Sequence, residues 1–296
     1  MWFKNLSLYR LPADFVLPSN LESQLAEHAL RSPGPLEFET RGFVSPFGAA
    51  FTHESSGCAL LALGQESRIL PASVLRDEVD KRIAEHEAKN GRKPGKRLRS
   101  EFKEAALGEL LPRALVKHTR TLAYFDNWSR LLVVDTTSDK RAEEVCSAIR
   151  EAIGSFPARP LATEASIALL ASEWLISGRL PDGLELGSAC DLKDPIDTAS
   201  VARFRNHDLS ADEVREHARL GKQVSQLGLI YTQRIGFVLD GKAKLRRLEF
   251  LDVIAEQLDA HDDADQNAVL DAEFALMTLE LRQLFSRLDE VLTFVD

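Results

Sequence analysis

Cysteine is scarce in this 296-residue chain, and Cys58, Cys146 and Cys190 lie too far apart to form a metal-ligand pair or a disulfide framework. They read as small core hydrophobes. No apolar run approaches the roughly 20 residues that a membrane helix needs. The start, "MWFKNLSLYRL", lacks the basic, apolar and small-residue order of a signal peptide, so a cytoplasmic protein is expected. No histidine has a second one four residues away around a glutamate, and no serine sits in a G-x-S-x-G elbow. "HDDADQNA" begins like a calcium loop with Asp263, Asp265 and Asn267. Ala268 then replaces the turn glycine and Phe274 the bidentate carboxylate. No enzymatic chemistry, metal or cofactor is expected.

A phosphate loop for a nucleotide is also missing. "GRKPGKRLRS" (residues 91–100) has three residues between Gly91 and Gly95, not four, and Arg97 instead of Ser or Thr after Lys96. Pro94, inside the would-be loop, has no N–H to offer a phosphate.

What the chain does have is a core-forming composition, 44% hydrophobic and 28% charged, with a net charge of -9 that is unevenly spread. From Asp252 to Asp296 twelve acidic residues face only Arg282 and Arg287, a local balance of -10; the rest of the chain stands at +1. Recognition of phosphate depends on local potential, so the acidic end does not exclude a basic surface elsewhere.

The first segment, "WFKNLSLYRL", reads as a strand, followed by an amphipathic stretch from Leu21 to Leu30 and a second strand, "GCALLALGQESRIL". Leu75, Val79 and Ile83 recur at helical spacing up to a stop at Asn90-Gly91. A second helix is expected from Ser100 as N-cap, with Glu101 and Glu104 in its first turn and Phe102, Ala106 and Leu110 on one face. A hairpin, "TLAYFDNWSRLLVVD", bends at Asp126 and Asn127, and the helix after it carries Ala142, Val145, Ile149 and Ile153 and closes on Gly154. Beyond "SFPARPLAT" come a helix near Ser166 to Ile176, a Gly/Pro/Asp-rich connection, a strand "SVARFR" and a short helix with Ser210 as cap and Glu213 completing a capping box. Three strands follow in "KQVSQLGLIYTQRIGFVLDGKAKLRRLEF", turning at Asp240-Gly241. Leu270, Phe274, Met277, Leu281, Leu284, Leu288, Val291 and Val295 then form a four-and-three seam on a long helix, which can cover the chain's own sheet or a partner's helix. The order implies an α+β fold of antiparallel sheets and packed helices. The expected division is an N-terminal lobe, 1–160, carrying a helical extension at about 72–118, and a C-terminal lobe, 161–296, ending in the acidic helix.

Candidate phosphate contacts follow from the basic residues. Lys93, Lys96, Arg97 and Arg99, with Arg92 and Lys103, make the densest cluster in the chain, in the connection between two helices. Arg203 and Arg205 alternate with apolar neighbours on a strand and so leave one face, roughly 7 Å apart at about 3.3 Å per residue. Two like charges side by side are unfavourable unless something anionic lies there. Arg113 and Lys117, read at the end of the second helix, and Lys222 complete the set, although cations at a helix C-terminus also complement its dipole. Adjacent Arg246 and Arg247 point opposite ways on a strand, so at most one joins a given phosphate track. Stacking aromatics are scarce near these cations, which favours a duplex backbone over unstacked strands.

The chain also resembles the RdgC family of bacterial recombination-associated proteins. The resemblance rests on "WFKNLSLYRL", "RILP" at 68–71, "LLPRA" at 110–114, "LLVVDT" with "KRAEE" after it, "DLSADE" leading to Gly221-Lys222, "QRIGFVL", "LRRLEF" and "DAEFALMTLEL". These run in family order over nearly the whole length. The resemblance implies a non-enzymatic protein, associated with the nucleoid, that forms a ring-shaped homodimer, encircles double-stranded DNA with little sequence preference and restrains RecA. It implies DNA contact by Arg113, Arg203, Arg205 and Lys222, the positions that match basic family positions. Where the family has an aromatic after "LLPRA", this chain has Leu115, which the resemblance puts at a dimer contact. The competing expectation is an interaction protein that binds RecA directly through the acidic C-terminal region and touches DNA incidentally.

Overall fold

A computed structural model describes residues 2–251 and 266–295; most of the calcium-loop-like stretch, including Asp263 and Asp265, lies outside the described residues. The fold is α+β, built on one antiparallel sheet in which β1 (Leu6–Arg10) is the central strand. On one side of it stand β6 (Leu131–Asp135), β5 (Leu115–Asp126), β4 (Cys58–Ile69) and β2 (Glu39–Val44), with β3 (Thr52–Ser55) also on β4. On the other stand β12 (Leu245–Phe250), β11 (Ile235–Asp240), β10 (Gln223–Tyr231), β8 (Leu184–Lys193) and β9 (Val201–Phe204). The two-residue β7 (Arg159–Pro160) caps β1. The halves meet where Leu6 pairs with Leu245 and Leu248 N donates to Lys4 O at 2.9 Å.

Strand alternation assigns the faces. In the first half Ala59, Leu61, Phe125, Leu132 and Val134 pack under α1 (Leu21–Glu27) and α4 (Asp139–Ile153). Their neighbours Cys58, Leu60, Tyr124, Leu131 and Val133 face the opposite way, so these strands are buried on both sides and read as nearly continuous apolar runs. That second face continues across the other half through Leu192, Leu227, Phe237 and Leu245 and is covered by α5 (Ile167–Ser177), α6 (Asp212–Arg219) and α7 (Gln266–Leu292). The seam of α7 is thus intramolecular: Phe274, Met277, Leu281, Leu284 and Leu288 are buried, with Phe274 edge-on to Tyr124 at 5.8 Å.

β4 and β5 pair over twelve residues, from Cys58 with Asp126 to Ile69 with Leu115. Their inner halves are buried and their outer halves emerge from the body, carrying a hairpin of α2 (Ala72–Asn90) and α3 (Lys96–Leu110). That hairpin packs chiefly on itself, α2 burying no residue and α3 only Ala106. Arg82 ties Glu78 to Glu109 at 3.0 and 2.7 Å, and His86 meets Phe102 at 5.8 Å. At its root Arg68 Nη1 and Nη2 donate to the carbonyls of Leu111 and Pro33, at 3.0 and 3.2 Å.

Three local expectations need correction. The second helix begins at Lys96 after Gly95, so Ser100 is an interior residue and the first turn is basic. Pro94 keeps Lys93 out of the helix, while Lys, Arg and Leu after Gly95 are good helix formers that start it earlier than a cap at Ser100 would. Ser210 does not cap α6; its N–H and hydroxyl both go to Asp208, and Glu213 pairs with His207. The stretch read as a connection before "SVARFR" contains β8, whose glycine and short polar residues conceal a strand.

Candidate nucleic-acid interface

The second half of the sheet leaves one face free of helices among the described residues. Cross-strand partners share a face, and Arg203 opposes Asp191, Asp191 opposes Gln226, and Gln226 opposes Asp240. All lie opposite the core-facing Leu192, Leu227 and Leu239. The floor between them is low because Gly187 and Gly228, within β8 and β10, and Gly236, near the start of β11, line it. A Cβ on Gly228 would lie 2.9 Å from Ala189 O, and the β8–β10 register shifts on either side of Leu227. Glycine therefore permits both the close backbone approach and the bulges that bend this face. The hollow it floors, about 210 Å³, is edged by Arg205, Arg247 and Glu249.

Arg203 and Arg205 share one face, as the alternation predicts, and the anion between them is internal. Asp191, only 7% exposed, has Oδ2 3.8 Å from Arg203 Nε and Oδ1 2.5 Å from Arg205 Nη1. Arg205 directs its N–H bonds to the carbonyls of Phe204 and Cys190, so its hold on Asp191 is proximity of charge. Two guanidinium groups on one carboxylate leave a surplus of one positive charge, and the Arg203 side chain is 68% exposed. Lys222 joins this edge, its Nζ donating to Ser200 O and Oγ at 3.1 and 2.5 Å, just before β9.

The other candidates lie elsewhere. Lys93, Lys96, Arg97 and Arg99 form the tip of the helical hairpin. Arg97 pairs with Glu101 at 3.2 Å, Arg99 Nε donates to Pro94 O, and Lys93 and Lys96 form no ion pair among the described residues. The basic first turn of α3 opposes its own dipole, which raises the positive potential at the tip. Arg113 closes a 3-10 turn (Leu111–Arg113), 4.0 Å from Glu109. Lys117 and Leu115 lie on β5, not at a helix end, so the dipole offers no structural reason for Lys117. From β5 to β9 there are seven strand spacings, roughly 34 Å at about 4.8 Å each. The candidates thus occupy opposite ends of the sheet, and one chain does not bring them into a single patch.

Strand alternation allowed at most one of Arg246 and Arg247 on a given phosphate track without choosing between them, and the one that edges the hollow is Arg247. It sits at φ 51° beside a register shift between β11 and β12, which turns it to the hollow while Arg246 is fixed by Asp240 at 2.7 and 2.8 Å. No sequence signal marks that left-handed residue. The cysteines are buried, and burial pushes the thiols of Cys58 up to about 11 and of Cys146 and Cys190 up to about 12, far from nucleophilic use.

A family model described as "Putative exonuclease, RdgC" matches residues 1–294. Proteins named recombination-associated protein RdgC are similar along their whole length. The one from Xanthomonas campestris pv. campestris (strain B100) is 40% identical over 298 residues, 99% of this chain and 98% of that protein. The one from Xylella fastidiosa (strain M23) is 40% identical over 293 residues, 98% and 97% of the two chains. The family description mentions an exonuclease, whereas the relatives' names carry no enzymatic activity. With matches of this extent, the chain belongs to the RdgC family of recombination-associated proteins.

Proposed function

We propose that the chain binds double-stranded DNA without sequence preference, as a homodimer closed around the duplex in the nucleoid, and thereby restrains RecA-dependent recombination. The observation that carries this reading is the helix-free face, floored by Gly187, Gly228 and Gly236 and edged by Arg205, Arg247 and Glu249, with the exposed Arg203 on the same face. Cations around a glycine floor suit a regular phosphate backbone, which supplies affinity without base readout.

Two apolar groups support self-association. At the root of the hairpin Leu36, Phe38, Ile69, Val74 and Leu115 are exposed, Leu115 by 77%; at the other end of the sheet Ile196 and Leu220 are exposed by 95% and 77%. Large apolar side chains at both ends of one sheet fit a two-fold pair that touches root to root and edge to edge. Such a pair has a hole, and acidic surfaces outside it do not oppose the backbone within.

The test combines solution mass with retention on DNA. A dimer should stay on closed circular duplex at a salt concentration that releases it from short linear duplex of the same sequence. Equal release from both overturns enclosure. The exonuclease in the family description is checked by incubating end-labelled DNA with magnesium or manganese, where unchanged length is expected and shortening would replace this reading.

A further inference from the structure

Asp191 is a carboxylate on the helix-free face that solvent hardly reaches. It lies on β8 between Cys190 and Leu192, which face the core, and is itself 7% exposed. Arg203 of β9 and Gln226 of β10 flank it across the sheet. Its main chain is fixed, since its carbonyl accepts from Ser225 Oγ at 3.1 Å beside the bulge between Val224 and Gln226. Its Oδ1 accepts no hydrogen bond from a described residue. What surrounds the carboxylate is charge, with Arg205 Nη1 2.5 Å from Oδ1 and Arg203 Nε 3.8 Å from Oδ2. Arg203 approaches by Nε, so its two terminal nitrogens are without a partner among the described residues, and the side chain is largely exposed. Arg205 commits Nη1 to the carbonyls of Phe204 and Cys190, which leaves Nε and Nη2. The chain after Arg205 is held as well: Asn206 is left-handed at φ 51°, and His207 N donates to Ser188 O at 3.1 Å.

A buried carboxylate so poor in hydrogen bonds adds little stability, because desolvation offsets its attraction to the cations. Its effect is on direction. Without it, two guanidinium groups that leave one face roughly 7 Å apart, at about 3.3 Å per residue, repel each other on long, rotatable stems. With it, each is drawn towards one point by one nitrogen and presents the others to solvent. We propose that Asp191 is a positioning residue for phosphate recognition, which touches no ligand and holds Arg203 and Arg205 from beneath at the spacing that meets a nucleic-acid backbone. The inference rests on the phosphate contacts proposed above for these two arginines. It also fixes the sign of an effect. A carboxylate close to the backbone repels phosphate, so on charge alone its removal strengthens binding. As the group that orders two guanidinium groups, its removal weakens binding, because loose side chains have to be immobilised on contact.

The test compares the full chain with Asp191→Asn and Glu249→Gln, by anisotropy of a labelled duplex over a salt series. Glu249 edges the same hollow and forms no ion pair among the described residues, so removal of its charge should tighten binding. Asp191→Asn removes the same charge and should instead weaken binding, by roughly tenfold at 50 mM salt with a slope flatter by about 0.9, the share of one phosphate contact. In a chain that already carries Arg203→Gln and Arg205→Gln, adding Asp191→Asn should cost no further affinity. The same loss there would mark general damage to the sheet and overturn the positioning role. Where the double variant unfolds, Arg203→Gln alone gives the comparison in a chain that keeps the nearer cation on Asp191, and the loss on adding Asp191→Asn should shrink. Tighter or unchanged binding by Asp191→Asn also overturns the positioning role, and leaves the contacts themselves standing when the double variant has lost slope. A native slope in the double variant removes the contacts and the positioning role together.

Discussion

Replacing Arg203 and Arg205 by Gln tests both the phosphate contacts and the number of chains that make them. Each phosphate contact contributes about 0.9 to the slope of log affinity against log salt, so losing two should flatten it by roughly 1.8 if one protomer engages the duplex, and by roughly 3.6 if both do. Between 50 and 200 mM salt, a fourfold change, the first case removes about a 12-fold part of the salt-induced loss and the second about a 150-fold part. The structure adds a complication, because Asp191 is 7% exposed and both arginines serve it. Stripping them leaves a buried carboxylate without a cation, a change that costs about 3–5 kcal/mol. The informative variant is therefore Asp191→Asn with Arg203→Gln and Arg205→Gln, which should restore the urea midpoint while keeping the flattened slope. Anisotropy of labelled duplexes of two unrelated sequences supplies the slopes. A triple variant that folds but keeps the native slope refutes phosphate contact at these positions, and a drop on only one sequence refutes backbone recognition.

Phe274→Ala, at a fully buried position of α7, should cost about 3–5 kcal/mol in urea unfolding, and a loss under 1 kcal/mol would contradict α7 as the lid of the main core. Leu115→Asp, at an exposed site, should leave the unfolding midpoint within about 0.5 kcal/mol while lowering the sedimentation mass at micromolar concentration; an unchanged mass removes Leu115 from the self-contact. Hydrogen bonds from Lys244 and Lys242 hold the Asp139 carboxyl at about 2, below the ordinary 3.8, so its contribution is complete above pH 4 and lost as pH falls through about 2. Asp139→Asn should flatten the fall of Tm between pH 4 and pH 2 relative to the native chain, and parallel curves would refute the linkage.

Elements that bury apolar faces were legible in the sequence: "CALLALGQ", "LLVVD", the α4 stripe and the α7 seam all appear where periodicity puts them. The shared face of Arg203 and Arg205 was legible too, since strand alternation fixes it. Asp191 was not, because it lies twelve residues before Arg203 in a segment whose bulges and glycine break the strand pattern. The same holds for Arg247, whose direction depends on a left-handed backbone. The starts of α3 and α6 were displaced because good helix formers, or a competing Asx turn at Asp208, outweighed the expected caps. Trp128 illustrates a different gap: its place at a hairpin bend was readable, but its meeting with Arg282, 154 residues away, needed the fold.

The acidic C-terminal region bears on the rival reading, in which it contacts RecA directly. Within the described part of α7 and its end, the carboxylates are already engaged. Asp271 lies 2.7 Å from His53, Asp289 3.8 Å from Arg10 and Glu290 2.8 Å from Arg287, while Glu280 forms a fork with Arg234. The apolar seam of the same helix is buried under the sheet. A docking helix needs one of these two faces free, and extracting Glu280 would strand it at a buried site. The described carboxylates named here therefore act first as internal partners. Arg234→Ala separates the readings: it should lower stability through Glu280 and leave the proposed duplex binding per folded molecule unchanged, whereas RecA capture by the freed carboxylate on DNA-free protein would favour the rival.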